Sequence, residues 1–172
     1  EVHAYNGMGY NAGIVEKYQK AEEYFSKSLS HLLQLENGEE IAITLYNSAL
    51  NKMIAREYAY ASDDFLLLIK VMEILGIHAL SIADTARFYG MLGICSFYIG
   101  EDYRCSYCLN KIDAYVGHLD YVEDEDKYHY WIDTLFMMYL LRAMMAVADG
   151  RYEEAKLKFD KAEFIMNMDK EK

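Results

Sequence analysis

The sequence predicts an all-α protein, a right-handed superhelical solenoid of about four helical hairpins. Three observations carry that prediction. The 172 residues contain no proline, so nothing forces a break in a long helix. Apolar residues make up 53% of the chain, ample material for a core. One well-patterned stretch, DGRYEEAKLKFDKAEFIM at 149–166, has counterparts upstream.

In that stretch Gly150 closes a turn and Tyr152 opens a helix. Ala155, Phe159 and Ala162 follow, and the small residue Ala143 lies twelve positions before Ala155. The first unit repeats the pattern with Tyr18, Ala21, Phe25 and Ser28, and Gly9 lies twelve before Ala21. The second has Tyr58, Ala61, Phe65 and Leu68, with Ala49 twelve before Ala61. The third is looser. Its matches are Gly93, Gly100, Tyr103 and Ser106, with thirteen positions between the small pair. Asn110 and Asp113 stand where the other units carry Phe and a small or apolar residue.

Two antiparallel helices approach closely only where both present small side chains at the crossing. An aromatic one turn later fills the space beyond. Each hairpin keeps an apolar face that must stack on a neighbour. The expected helix pairs are 2–13 with 17–35, 39–55 with 58–76, 80–99 with 102–117, and 128–148 with 151–168. They form one repeat domain over 1–172, with units at 1–36, 39–77, 80–117 and 128–168. Turn signals separate them: ENGEE at 36–40, LGIH at 75–78 and VGHLDYVEDEDK at 116–127. The chain opens at Glu1 without methionine, which suggests a fragment of a longer protein.

These hairpins resemble the tetratricopeptide (TPR) family over nearly the whole chain. The usual TPR period is about 34 residues. Here Ala21, Ala61, Ser106 and Ala155 stand farther apart and the closing proline is missing, which implies longer helices and connections. Long, degenerate repeats rich in Tyr, Asn and Ile more loosely resemble the regulatory domains of Rgg- and PlcR-like peptide-pheromone receptors. That resemblance implies a cytoplasmic, dimeric regulator. A short peptide would lie in its concave groove, and an upstream helix-turn-helix would touch DNA. The other reading is a TPR adaptor that docks a segment of another protein, without a signalling ligand.

The net charge of −11 makes direct nucleic-acid binding by this chain unfavourable, since phosphates are met by Lys and Arg. It favours neutral, apolar or cationic partners. Three cysteines make no disulfide framework and suit a reducing cytoplasm. No apolar run reaches the roughly 20 residues needed to span a bilayer.

Little in the chain points to chemistry. Cys105 and Cys108 form a C-x-x-C, but on a helix and with no second ligand pair, so small packing residues are the simpler reading. His118, Asp120, Glu123, Asp124, Glu125, Asp126 and His129 cluster before a helix, without the order of a calcium loop. A solvated helix-opening loop fits them better than a metal site. No nucleophile–base pair or phosphate loop is visible. The sequence therefore predicts a binding module rather than an enzyme, with no cofactor and no metal.

The predicted groove lies along the first helices of the hairpins. Asn6, Asn47 and Asn51 can pair with a peptide backbone, because an amide both donates and accepts. Tyr10, Met91, Ile94, Leu141 and Met144 would receive apolar side chains, and Arg87 a carboxylate. The helix at 128–148 is apolar nearly all round, so it needs partners on several sides. Beside the terminal helix with Phe164, Ile165, Met166 and Met168, it predicts a homodimer.

Overall fold

A computed structural model describes residues 2–35, 38–75, 82–116 and 125–168. Among them every regular element is an α-helix. The helices are α1 (Val2–Ile14), α2 (Tyr18–Leu35), α3 (Gly38–Ile54), α4 (Tyr58–Leu75), α5 (Ile82–Tyr98), α6 (Asp102–Val116), α7 (Glu125–Ala148) and α8 (Tyr152–Met168). They pair as hairpins in sequence order, as the repeat pattern predicts. Where the spacing suggests one continuous array, the chain's contacts group it into two compact units, Glu1–Ala79 and Leu80–Lys172.

All four hairpin turns are built alike. Each closes on one residue in the left-handed conformation: Glu16 (φ 59), Arg56 (φ 63), Gly100 (φ 76) and Gly150 (φ 73). The next amide reaches back to a carbonyl five positions earlier, as Lys17 N–H does to Ala12 C=O at 2.9 Å and Arg151 N–H to Ala146 C=O at 2.8 Å. These are Schellman caps, which satisfy carbonyls that a helix end leaves over.

The caps also correct the register of the third unit. Counting five residues on from the left-handed position gives Ala21, Ala61, Cys105 and Ala155, all essentially buried. Cys105, and not Ser106, is thus the small residue at the third crossing. Its thiol lies 3.4 Å from the Gly93 carbonyl, while Ser106 is exposed. With Cys105 in place, every small pair is twelve residues apart. Tyr103 does not mark the crossing: it is 87% exposed, and nothing in the crossing depends on it.

In the first unit α2 and α4 bury the same stripe. Ala21, Phe25, Ser28 and Leu32 on one helix match Ala61, Phe65, Leu68 and Met72 on the other. In the second unit α7 packs against α5, α6 and α8. Those three partners bury Ile132, Met138, Leu141, Ala143 and Ala146 on several sides of the helix. Leu157, Phe164 and Met166 on α8 remain exposed, while Ile165 is buried.

Candidate functional site

Two helices of the first unit present matched stripes to one another. On α1 these are Asn6, Gly9, Tyr10, Gly13 and Ile14; on α3 they are Asn47, Leu50, Asn51 and Ile54. The spacing i, i+3, i+4, i+7 places each set on one helix face. Glycine lets α1 approach both neighbours, α2 at Gly9 and α3 at Gly13. A Cβ on Gly9 would stand 2.6 Å from the Phe25 ring, and one on Gly13 would stand 3.0 Å from Asn51 Oδ1.

A cavity of about 270 Å³ opens along this seam. Phe25 forms its buried floor, and Leu50 and the two glycines its sides. Tyr10, Ile14 and Ile54 stand around it at 56, 63 and 62% exposure. None of the lining residues is charged, and α1 has no ionisable carboxyl or amine, only His3. That histidine is 3.4 Å from Glu40.

The predicted asparagines divide into two kinds. Asn47 Nδ2 donates to Asn6 Oδ1 at 3.1 Å. Both side chains are half-buried, and among the described residues this is their one hydrogen bond. The pair therefore keeps a donor on Asn6 Nδ2 and an acceptor on Asn47 Oδ1. Asn51 is instead structural. Its Nδ2 donates to Glu22 Oε1 at 2.8 Å and to the Tyr18 carbonyl at 3.2 Å. Its Oδ1 is buried against Gly13 without a partner, so Asn51 forms a wall of the cavity and offers no free backbone clamp.

Behind that wall lies a polar knot joining the two hairpins. Ser48 Oγ donates to Asp64 at 2.7 Å or Glu22 at 3.1 Å. Lys52 Nζ lies 2.5 Å from Asp64 and 3.2 Å from Glu22. Burial pulls the Lys52 pKa down, but the hydrogen bond and charge of Asp64 and the charge of Glu22 outweigh it, and the net shift is upward. Ser28 and Thr44 add a buried hydroxyl contact at 3.5 Å.

The site residues predicted in the second unit fall elsewhere. Leu141 is fully buried, and Met91 and Ile94 nearly so, so these three belong to the core and do not face a groove. The reason is again glycine: a Cβ on Gly93 would stand 2.4 Å from Leu141 Cδ2, so α7 sits against α5 with its side chains in the seam. Met144 is half-buried. Arg87 is mostly buried and faces Asp133 at 3.8 Å, so its charge already has a carboxylate. Cys95, Cys105 and Cys108 are fully buried, and burial is the main force pushing their thiols up to about 12, 11 and 12. At neutral pH they are inert packing groups. Most of the acidic stretch around 118–129 lies outside the described residues, as do the side chains of Glu125, Asp126 and His129.

The sequence reading missed Gly9, Gly13, Ile14, Leu50 and Ile54. Their signal was present as the paired helical stripes, but only the packing of α1 on α3 shows that both stripes face one cavity.

No family model matches the chain, and no curated protein does. A solved structure is similar: the apo form of RapI, with a TM-score of 0.72 and 16% sequence identity. The likeness covers 99% of this chain and 57% of RapI, so the chain spans little more than half the length of that protein. RapI is a helical repeat protein. At this identity the match shows the fold, a TPR-like helical repeat. Among the described residues no helix is long and apolar enough to cross a membrane.

Proposed function

We propose that the chain is a binding module without catalysis, and that the α1–α3 face of its first unit holds an extended peptide or protein segment. The observation that carries this reading is the half-satisfied Asn6–Asn47 pair. A peptide unit has one C=O and one N–H, and the pair keeps the Asn6 amino group to donate and Asn47 Oδ1 to accept in a half-buried setting. Such groups are costly to bury unless matched. The neighbouring apolar rim supplies contact area. The charge of −11 favours a neutral or cationic segment.

At a finer level the module fits the sensor part of a cytoplasmic, peptide-responsive transcriptional regulator of the Rgg/PlcR type. The resemblance in repeat style supports this, as does the likeness to a structure described as an apo form. A homodimer through the exposed Leu157, Phe164 and Met166 of α8 belongs to the same reading. An adaptor would use the same face for a segment of a larger protein.

The test is a peptide library screened against the chain, with the best binder titrated against Asn47→Ala, Asn6→Ala and the exposed α8 control Lys156→Ala. Loss of either asparagine should cost about 1–3 kcal/mol, a roughly tenfold to hundredfold loss of affinity. Equal binding by Asn47→Ala and the control would sink the backbone-pairing role.

A further inference from the structure

We propose that the cavity between α1 and α3 is an anchor pocket for one large uncharged apolar side chain, branched aliphatic or aromatic, of the segment whose neighbouring amide pairs with Asn6 and Asn47. The proposal rests on the segment-binding reading and adds what the segment must carry.

Size is the first argument. At about 270 Å³ the cavity is just below the roughly 300–1,000 Å³ of sites that hold a whole small ligand. It suits one large side chain. Chemistry is the second argument. Its floor is the Phe25 ring and its sides are Gly9, Gly13 and Leu50, with no charged group in the lining. A buried carboxylate would find no cation there, and an ammonium no carboxylate but only amide oxygens of Asn47 and Asn51, and a buried charge without a counter-charge is strongly disfavoured. The rim is the third argument. Tyr10, Ile14 and Ile54 are all more than half exposed around one opening, where an entering apolar group would cover them.

Placement completes the case. Asn47 lines the cavity and holds the free acceptor, so a residue whose side chain enters has its own amide within the reach of the asparagine pair. The same α3 wall, one turn further on, cannot yield easily. Asn51 is held by Glu22 and the Tyr18 carbonyl, and Glu22 also meets Lys52. The pocket is therefore preformed, which lowers the ordering cost of binding.

Blocked single amino acids test this directly, because each carries one side chain between two amide units. N-acetyl-phenylalanine amide, N-acetyl-leucine amide and N-acetyl-alanine amide are titrated into the isotope-labelled chain and followed by amide resonances. The phenylalanine and leucine compounds should shift Gly9, Gly13 and Leu50. They should bind roughly tenfold or more tightly than the alanine compound, as expected for several methylenes in an apolar pocket. Leu50→Trp, which fills the cavity, should remove that preference. Leu50→Ala, which enlarges it, should move the preference from leucine toward phenylalanine, and this second variant keeps the test decisive if the first fails to fold. Equal binding by all three compounds, or shifts centred elsewhere, overturns the pocket. The wider reading fails differently. If no library peptide binds more tightly than the blocked residue that fills the pocket, the pocket stands and the segment-binding reading falls. If peptides bind through Asn47 but tolerate alanine at every apolar position, the segment-binding reading stands and the pocket falls.

Discussion

The two units differ in what fills the centre of the seam between their hairpins. In Glu1–Ala79 the seam is polar: Glu22, Ser48, Lys52 and Asp64 share one knot, and Ser28 meets Thr44 beside it. In Leu80–Lys172 the centre of the seam is apolar and tight, with Gly90 beneath Met137 and Gly93 beneath Leu141, and ion pairs Arg87–Asp133 and Arg142–Asp113 stand at its edges. The turns differ in the same direction. The second unit uses Gly100 and Gly150 at its left-handed caps, where the first uses Glu16 and Arg56. One hairpin design thus tolerates two chemistries. The difference falls where the candidate site lies, because Asn51 belongs at once to the polar knot and to the cavity wall.

The largest expected effect separates the two seams. Lys52→Met would leave Glu22 and Asp64 facing one another without their cation. Removing one partner of a buried pair typically costs about 3–5 kcal/mol, and Lys52, 18% exposed, should lie near the lower end. Chemical denaturation with hydrogen exchange should show the loss centred on α2, α3 and α4. In the second unit Arg142 grips Asp113 with two bonds at 2.6 and 2.7 Å, but Asp113 is exposed and Arg142 only half-buried. Arg142→Ala should cost about 1 kcal/mol or less. Equal losses for the two variants would erase the contrast.

Overpacking comes next. Gly93→Ala puts a methyl into the space of Leu141 and should cost about 1–3 kcal/mol. Gly7→Ala, where an added Cβ meets nothing within 4 Å, should instead stabilise α1 by roughly 0.5–1 kcal/mol. Denaturant midpoints that move the same way for both would contradict the assigned seam.

Alkaline pH should sharpen the comparison. Above pH 9.0, the ordinary thiol value, unfolding lets Cys95, Cys105 and Cys108 ionise, while the folded second unit holds them protonated to about 12, 11 and 12. The unfolded chain then binds fewer protons than the folded one, so stability falls as pH rises through this window. Lys52 has the same sign but starts later, since its pKa is raised from 10.5. Exchange protection should therefore weaken in α5 and α6 at a lower pH than in α2 and α3. The reverse order would contradict the burial assigned to the thiols.

The smallest effect concerns the turns. Arg56 adopts a left-handed conformation that costs an ordinary residue about 1–2 kcal/mol. Glycine avoids that strain but loses about 0.5–1 kcal/mol of it to chain entropy. Arg56→Gly should thus raise the thermal midpoint slightly, and Gly150→Ala should lower it. A destabilised Arg56→Gly would mean that the arginine side chain contributes more than its backbone costs.

The sequence by itself determined the helices, their pairing and the small residues at three of four crossings. Those features are local. A repeated Tyr, small, aromatic spacing and the absence of proline act within one hairpin, so they are visible in one dimension. The third crossing is not legible from the tyrosine spacing, because its register is set by the left-handed cap at Gly100, five residues before Cys105. The candidate site was half legible. Asn6, Tyr10 and Asn47 were named from composition and helical spacing, and they do share one face. Tertiary structure decided the rest. It gave Asn51 to Glu22 and Tyr18, sent Met91, Ile94 and Leu141 into the core, and brought Gly9, Gly13, Leu50 and Ile54 around one cavity. Those outcomes depend on which neighbouring helix covers each face, and that is set by the fit of glycines against Phe25, Asn51 and Leu141, contacts between residues 16 to 48 positions apart in the chain.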